Sequence, residues 1–301
     1  MKKSRVGIAI GVIALLVICF VILSVIASLL ADTEEEGGIA TLFSGGNKIG
    51  VVPIEGTITS SDEILKQLRK FSKKRMVRAI VLRINSPGGT VAPAQEIYRE
   101  INKIKKRKPV VASIETLGTS AAYYIASSSN NIVCSSGTIT GSIGVIMMLA
   151  DLHQAIDKIG VSVRIIKSGE YKDIGTGVRP MTDDERLILQ SFAKEVHEQF
   201  IRDLVAGRKG KIQEETVRSV ADGRFFTGER AKELGLVDTL GNFFDAVKIA
   251  ATLGGIKGEP KLEYPEKRWD NYLDLLMESV SRAAYRAVER TKLMPSSPVL
   301  Q

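Results

Sequence analysis

The chain opens with an unbroken apolar run. Residues 6–30 carry no charge, and a helix of about 20 apolar residues is long enough to cross a bilayer. Lys2, Lys3 and Arg5 precede the run, whereas the acidic residues 32 and 34–36 follow it. Cations ahead of a membrane span favour a cytoplasmic N-terminus. The pattern therefore predicts a cytoplasmic tip and single-pass anchor over residues 1–31, with the rest of the chain on the extracytoplasmic side of the cell membrane.

A cleaved signal peptide is the alternative interpretation of this run. The apolar core of a signal peptide usually has about 7–15 residues and ends in a small-residue cleavage site. The present run is longer and has no such site. Cys19 follows Ile18, a bulky residue, so lipidation at this cysteine is not expected.

Beyond the run, short apolar segments alternate with segments of helical periodicity. Residues 32–47 are acidic and then rich in Gly and Ser, which is typical of a flexible linker. A domain over residues 48–257 follows. Strands are predicted at 48–54, 78–84, 109–114, 132–134 and 161–167, and helices at 61–74, 92–106, 120–127, 151–159, 182–208, 213–221, 228–234 and 242–253. This alternation predicts an α/β fold with a buried parallel sheet.

The C-terminal segment, residues 258–301, is predicted to hold an amphipathic helix over residues 268–292. Trp269, Tyr272, Leu273 and Leu276 are among its apolar residues at near-helical spacing. No chemistry is expected of it. Docking onto the body or onto a neighbouring subunit is its predicted role.

Composition and charge exclude several classes of function. The chain is 44% hydrophobic and 25% charged, which is ordinary for a folded protein. Its net charge of +8 includes basic runs at 73–75 and 105–108. Both runs end predicted helices, where cations complement the helix dipole, and no nucleic-acid motif accompanies them. A solvated face is the interpretation favoured, and no nucleic-acid partner is expected.

The chain has few residues for metal or histidine chemistry. Cys134 is the one cysteine outside the apolar run, so neither an internal disulfide nor a cysteine metal cluster is expected, and no cofactor is implied. The two histidines, His153 and His197, fall at polar mid-helix positions. A Ser-His-Asp triad is therefore disfavoured, whereas a serine nucleophile with a lysine base needs no histidine.

Ser120 is the candidate nucleophile. It follows Gly118 and Thr119 at the end of a predicted strand and opens an apolar helix, whose first N–H groups lack internal acceptors. From the residues alone, an N-capping role is the more common use of such a serine. The turn at 85–89, with sequence NSPGG, ends the preceding strand and could bring backbone N–H groups to the same point.

The candidate base comes from a loop with sequence KSGEYKD at 167–173. An exposed lysine is the usual interpretation of such a position. A free lysine has a pKa of about 10.4 and is protonated at neutral pH, whereas burial can lower that pKa by about 3 units. A working base must therefore be buried.

Five motifs taken in order resemble the signal peptide peptidase A family. They are LRINSPGG at 82–89, TSAAYYIA at 119–126, TGSIGVIM at 140–147, KSGEYKDIG at 167–175 and ADGRFFTGERAKELGLVDTLG at 221–241. The resemblance covers about 200 residues, essentially the whole body before the C-terminal helix. It implies a fold like that of the Clp protease and crotonase superfamily, built from repeated strand-turn-helix units.

The resemblance also implies roles for single residues. Ser120 matches the family nucleophile and Lys172 its general base, while Ser142 matches the serine that orients the lysine. The N–H groups of Gly89 and Ala121 match the oxyanion hole, and Gly88 supports the turn. Members assemble into rings with active sites near subunit boundaries and degrade remnant signal peptides, so a homo-oligomer acting on hydrophobic peptides at a membrane is expected.

One departure from the family pattern concerns the residues after the nucleophile. Ala121 and Ala122 stand where the family often has two glycines, so each methyl group narrows the space beside Ser120. Two alternatives to a signal peptide peptidase stay open. One is a related protease specific for a single membrane protein, and the other is a noncatalytic oligomeric scaffold that binds peptides.

Overall fold

A computed structural model describes residues 47–265 of the 301-residue chain. The predicted anchor, nearly all of the predicted linker and the predicted helix at 268–292 lie outside the described residues. Within residues 47–265, no helix has both the length and the apolar character needed to cross a membrane.

Strands and helices alternate along most of the described chain. The strands are β1 (Lys48–Ile58), β2 (Val77–Gly89), β3 (Val110–Thr119), β4 (Asn131–Cys134), β5 (Ile139–Gly141), β6 (Phe225–Thr227), β7 (Thr239–Leu240) and β8 (Lys261–Glu263). The helices are α1 (Asp62–Lys73), α2 (Val91–Ile104), α3 (Ala121–Ser127), α4 (His153–Lys158), α5 (Asp183–Gly207), α6 (Glu214–Val220), α7 (Gly228–Glu233) and α8 (Phe243–Leu253). The predicted α/β class is confirmed.

These strands form one mixed sheet with the order β6-β5-β3-β2-β1-β8, and β4 pairs with both β3 and β7. All pairings are parallel except that of β5 with β6. The starts of β1, β2, β3 and β8 therefore lie at one edge of the sheet. The ends of β2 and β3 lie at the opposite edge, and this second edge carries the candidate site.

Successive residues of the central strands pack against two different helical layers. Ile80, Leu82 and Ile84 of β2 belong to the larger core, which includes residues of α1, α2 and α3. Ala79 and Val81 belong to a smaller core with α8. Side chains alternate between the faces of a strand, and a parallel sheet is normally covered on both, which explains why β2 is apolar at almost every position.

The sheet extends further than the sequence indicated. Residues 85–89, predicted as a turn, form the last part of β2, and Ser86 pairs with Gly118 of β3. At the other end of the chain, β8 lies beyond the predicted domain limit of 257 and pairs with β1. The sheet thus includes residues 261–263, which were assigned to the C-terminal segment.

The strand predicted at 161–167 is not formed, and this prediction was wrong. Val161, Val163 and Ile165 alternate as in a strand, but each is at least 40% exposed. This segment pairs with none of the strands of the described range 47–265. Apolar alternation alone does not form a strand without a partner.

Candidate active site

Ser120 lies at the corner between β3 and α3 in an unusual backbone conformation. Its φ is 53° and its ψ is −124°, a region that residues with a side chain rarely adopt. Such a conformation costs about 1–3 kcal/mol and persists where the surrounding structure enforces it. Here the Ser120 N–H donates to the Gly141 carbonyl over 2.9 Å, and the Ser120 carbonyl accepts from the Tyr124 N–H over 2.8 Å.

The Ser120 side chain does not cap the helix that follows it. Its hydroxyl forms no hydrogen bond within residues 47–265, although the residue is only partly exposed. The N-capping interpretation, which the residues alone favoured, therefore does not hold. A hydroxyl on a strained corner with no structural partner is available for chemistry.

The end of β2 packs directly against this corner. A Cβ atom on Gly88 would lie 2.8 Å from the Ser120 Cβ, 2.9 Å from the Thr119 carbonyl oxygen and 3.0 Å from the Ala121 nitrogen. Gly88 also has a φ of 110°, which favours glycine. Position 88 thus has neither the space nor the backbone conformation for a side chain.

One hydroxyl group fixes the end of β2 from within the strand, and a second one ties it to β3. The Ser86 hydroxyl accepts from the Gly88 N–H over 3.1 Å, and the Thr119 hydroxyl donates to the Pro87 carbonyl over 2.9 Å. Neither Ser86 nor Thr119 was a predicted site residue. The Ser-Pro-Gly-Gly turn was a signal for the first of them, because serine side chains often bond to backbone groups two residues on.

The start of α3 offers a backbone donor next to Ser120. Ala121 is the first residue of α3, so its N–H has no acceptor within the helix, and the start of a helix carries partial positive charge. A Cβ atom on Gly88 would lie 3.0 Å from the Ala121 nitrogen, and Gly89, Ser120 and Ala121 line one pocket. The two residues that the resemblance implies for an oxyanion hole, Gly89 and Ala121, therefore lie in the same lining as Ser120.

Ser142 also lies near this corner, directly after the Gly141 carbonyl that binds the Ser120 N–H. Ser142 has a φ of 51°, and its N–H donates to the Arg224 carbonyl over 2.8 Å. The Thr140 hydroxyl donates to the Gly118 carbonyl over 2.8 Å, which ties β5 to β3. Two non-glycine residues with positive φ, Ser120 and Ser142, therefore stand close together at the site.

Lys172 is placed differently from the other candidate residues. It lies in a turn within the long segment between β5 and α5, and it is exposed. Its N–H donates to the Gly169 carbonyl over 3.2 Å, but its ammonium group forms no hydrogen bond or ion pair within residues 47–265. The burial expected of a working base is therefore not found in the isolated chain.

An ionic network fixes the turn that carries Lys172. The Asp173 carboxylate accepts from Lys167 over 2.6 Å and from Arg179 over 2.8 Å, and Arg179 also pairs with the buried Glu185. These bonds hold the pKa of Asp173 well below its usual range and lower the pKa of Glu185 to about 2. Glu185 in turn forms a capping box with Thr182, the predicted N-cap of α5. The turn is thus tethered to the start of α5.

An apolar pocket opens beside Ser120. Its walls come from α2, α3, α5 and the segment after β5: Gly89, Val91, Ala94, Ser120, Ala121, Tyr124, Gly144, Val145, Val196 and Phe200. The Tyr124 and Phe200 rings pack with their centroids 4.7 Å apart. No pattern in the sequence indicated this pocket, because apolar residues at helical spacing on α2 and α5 look the same whether they line a core or a cleft.

The remaining chemically reactive residues are occupied elsewhere. The His153 ring bonds Asp151, Nδ1 to Oδ1, at 2.5 Å, and neither His153 nor His197 is hydrogen-bonded to Ser120. Cys134 is buried, and its burial raises its pKa to about 11. No group of three or more metal-ligating side chains occurs in the part of the chain that the structure describes.

Comparison with known families agrees with this geometry. The sequence profile described as Peptidase family S49 matches residues 102–257, and the Clp protease profile matches residues 48–134. The chain belongs to peptidase family S49. The resemblance to the signal peptide peptidase A family is thereby confirmed, and the two profiles together cover Ser120 and the turn at Gly88 and Gly89.

Several relatives match this S49 chain over most of their length. The putative protease slr0021 of Synechocystis sp. is 43% identical over 69% of this chain and 75% of its own. The putative protease MJ0651 of Methanocaldococcus jannaschii is 34% identical over 84% and 85%. The putative signal peptide peptidase SppA of Enterococcus faecium is 30% identical over 87% and 83%.

A solved structure shows the same fold. It is described as a mutant of the 1510-N membrane-bound stomatin-specific protease, and it aligns with a TM-score of 0.50 at 16% identity. The alignment covers 75% of this S49 chain and 100% of that one. At this identity the likeness concerns the fold alone.

Proposed function

We propose that this S49 peptidase is a membrane-anchored serine endopeptidase in which Ser120 attacks the peptide carbonyl and Lys172 is the general base. The observation that carries the proposal is the Ser120 corner. Its hydroxyl has no structural partner in the described chain, its backbone is strained, and the unpaired start of α3 stands beside it. Each feature costs stability without serving the fold, as is common at catalytic sites.

The reaction is acyl transfer. Neutral Lys172 accepts the proton of the Ser120 hydroxyl while Oγ attacks the carbonyl, and the Gly89 and Ala121 N–H groups hold the oxyanion. When the tetrahedral intermediate collapses, the protonated Lys172 gives its proton to the leaving amine. Water, deprotonated by the same lysine, then hydrolyses the acyl-enzyme and frees Ser120. We assign to Ser142 the role of orienting the lysine by a hydrogen bond.

We further propose that assembly supplies the base. Lys172 lies in a segment whose apolar side chains face solvent in the isolated chain, with Ile146 at 82%, Met148 at 88% and Ile166 at 100% exposure. Exposed apolar surface of this extent is typical of an interaction site. A second copy that covers it would bury Lys172, lower its pKa and bring it to the Ser120 of the neighbouring subunit.

The apolar pocket beside Ser120 supports hydrophobic peptides as the substrate class. Val91, Val145, Val196 and Phe200 offer no charge to bind an acidic or basic side chain. One relative is named a signal peptide peptidase, and remnant signal peptides are hydrophobic segments of this kind. An anchored enzyme with an extracytoplasmic body would meet them where they accumulate.

Mixed assemblies test the dyad and its origin together. The full chain is expressed as Ser120→Ala and as Lys172→Ala, each with a different tag. The two variants are also co-assembled in equal amounts. Cleavage of a fluorogenic hydrophobic peptide is measured for all three samples. Each single variant is expected to be inactive. In the mixture, about one quarter of the sites in a head-to-tail ring would combine an intact Ser120 with an intact neighbouring Lys172, so activity should return to about that fraction.

Three outcomes contradict parts of the proposal. An inactive mixture of correctly assembled subunits would place both residues of the dyad in one chain. Activity of Lys172→Ala equal to the parent would exclude Lys172 as the base. A parent chain that binds hydrophobic peptides but cleaves none would support the noncatalytic scaffold.

A second candidate is a protease specific for one membrane protein. The solved structure that shares the fold is described as a membrane-bound stomatin-specific protease, so proteases of both kinds can be built on this fold. Cleavage of many unrelated signal peptides would argue against it, whereas cleavage at one site of one membrane protein would support it.

A further inference from the structure

The side of the sheet at which its parallel strands begin, opposite to Ser120, is strongly basic. The strands β1, β2, β3 and β8 all start there, at Lys48, Val77, Val110 and Lys261. The two basic runs of the sequence directly precede β2 and β3, so the parallel pairing brings them together although about 30 residues separate them along the chain. The basic edge, as we call it, comprises Lys73, Arg75, Arg78, Lys106, Arg107 and Lys108.

Much of this edge forms an open groove. Lys73, Arg75 and Arg78 stand on one side, Arg107 and Lys108 stand on the other, and the end of α8 closes it. The Arg78 side chain donates to the Gly254 carbonyl over 3.3 Å. This bond ties Arg78 to the end of α8.

Among the cations of the basic edge, Lys108 is the one that bonds the C-terminal end of α1. Its ammonium donates to the carbonyls of Phe71, Ser72 and Lys74 over 2.6, 3.1 and 3.0 Å, and so satisfies the C-terminal end of α1. Burial and then the charges of Arg78 and Arg107 lower the pKa of Lys108 to about 8. The groove thus holds more positive charge than the helix end requires.

The other cations of this edge lack acidic partners. Glu263 neutralises Lys48 and Lys74 over 3.4 and 3.0 Å. Lys73, Arg75 and Arg107 are exposed and form no ion pair with any residue of the described range 47–265. Unpaired cations held this close repel one another, and an external anionic surface would relieve the repulsion.

The connection to the predicted anchor starts at this same edge. Residue 47 directly precedes β1, and sixteen residues, 31–46, separate it from the end of the apolar run. If these residues form the flexible linker that the sequence predicts, they would span about 20–25 Å on average. The basic edge is thus the side of the domain that the anchor would keep near the lipid surface, within reach of headgroup charge.

We propose that the basic edge docks on anionic lipid headgroups of the membrane that holds the anchor, and so orients the peptidase body. This proposal rests on the proposed anchor but not on the proposed chemistry. The thirteen-residue β2 strand runs from the basic edge to its own end at Gly88 and Gly89, a distance of about 40 Å. Docking therefore holds the Ser120 site on the side of the domain that faces away from the bilayer.

Lysine footprinting of the full chain in nanodiscs tests this orientation. The chain is reconstituted in phosphatidylcholine alone or in a mixture with phosphatidylglycerol, briefly acetylated, and analysed by mass spectrometry. Lys73 and Lys106 are expected to react at least about threefold more slowly in the anionic nanodiscs, and high salt should remove the difference. Lys194, an exposed lysine of α5, should react equally in both.

A matched pair of charge reversals sharpens the test. Arg75→Glu with Arg107→Glu should abolish the lipid-dependent protection of Lys73 and Lys106. Lys194→Glu with Arg202→Glu changes the same charge on α5 and should leave the protection intact. Folding of each variant is checked by its thermal transition, and a variant that does not fold is replaced by Arg75→Gln with Arg107→Gln.

Each other outcome overturns the docking proposal. Equal labelling of Lys73 in both lipids by a chain that stays with the nanodiscs excludes docking while the anchor stands. Inorganic phosphate giving the same protection in neutral nanodiscs would show a site for free phosphate instead of a lipid surface. A chain that does not stay with the nanodiscs would exclude the anchor, and docking with it, without bearing on the Ser120 chemistry.

Discussion

The Ser120 corner and the segment that carries Lys172 differ in almost every physical respect. The corner is enclosed by β2, β3, β5 and α3, and every residue of α3 is buried. The segment 145–182 contains one short helix, and apolar side chains such as Ile146 and Ile166 are exposed along it. One half of the proposed dyad is thus built by the chain itself, whereas the other half is presented at its surface.

Under the proposed dyad, this difference separates the positioning of the nucleophile from the activation of the base. Ser120 would need a backbone position that only tight packing can enforce, and one chain provides it. Lys172 would need a low-dielectric environment, which a further surface could provide on assembly. A peptidase of this kind would be inactive as a free subunit, which would protect other proteins before the enzyme reaches its place of action.

Blocking the corner should have the largest effect. In Gly88→Ala, the new methyl group would collide with the Ser120 Cβ, the Thr119 carbonyl and the Ala121 nitrogen. Relief of these contacts moves both the nucleophile and an oxyanion donor, so we expect kcat/KM to fall by about 100-fold or more. Peptide cleavage by the assembled full chain measures the effect.

Gly56→Ala is the matched control for this substitution. Gly56 also has a positive φ, of 63°, but a Cβ there would meet nothing within 4 Å. We expect a stability loss of about 1 kcal/mol and nearly unchanged cleavage. Equal loss of activity in the two variants would show that backbone strain, not the collision at Ser120, is responsible.

A charged substitution in the exposed segment 145–182 should lower peptide cleavage less than Gly88→Ala does, but still strongly. Ile166→Glu places a charge at a fully exposed position, which costs nothing in the free subunit but disfavours burial against a second copy. We expect the assembly to shift towards monomers and cleavage to fall by about tenfold or more, with thermal stability of the monomer unchanged. Analytical ultracentrifugation in detergent and the peptide assay report the two quantities.

Phe244→Glu provides the comparison for Ile166→Glu. Phe244 is 71% exposed on α8, away from the segment 145–182. The Phe244→Glu substitution should therefore leave both assembly and peptide cleavage near the level of the parent chain. An Ile166→Glu chain that still assembles and cleaves fully would separate the apolar segment from the proposed interface.

Changing the pocket beside Ser120 should have the smallest effect. The Ala121 methyl group narrows that pocket, so Ala121→Gly should improve cleavage after bulky side chains relative to small ones, by about three- to tenfold in the ratio of kcat/KM values. A panel of peptides that differ in one side chain measures it. Ala122→Gly removes a fully buried methyl group that does not line the pocket, so it should lower stability without altering the ratio.

The parts of the site that local sequence determines were predictable. Gly88, Gly89 and Ser120 stand in short segments where glycines and an apolar helix start specify a tight corner, and the structure brings these segments together. The apolar runs 78–84 and 109–114 likewise predicted buried strands, because a parallel sheet covered on both faces requires apolar residues at nearly every position.

The parts that depend on distant or external partners were not predictable. The apolar pocket needs Val91, Tyr124 and Phe200 to meet, and no local pattern indicates that three helices will leave a cleft between them. The strand expected at 161–167 failed for a related reason, since its alternation is correct but it pairs with no strand of the described residues. The convergence of the two basic runs at one edge follows only from the strand order.

Cys134 provides a means of observing the core that is independent of catalysis. Its thiol is 1% exposed, and burial raises its pKa to about 11, which disfavours the reactive thiolate at neutral pH. A thiol reagent therefore modifies it chiefly during transient openings of the sheet. With Cys19 replaced by alanine, the rate of Cys134 modification reports how often the central strands open locally, in the same way that hydrogen exchange reports local unfolding.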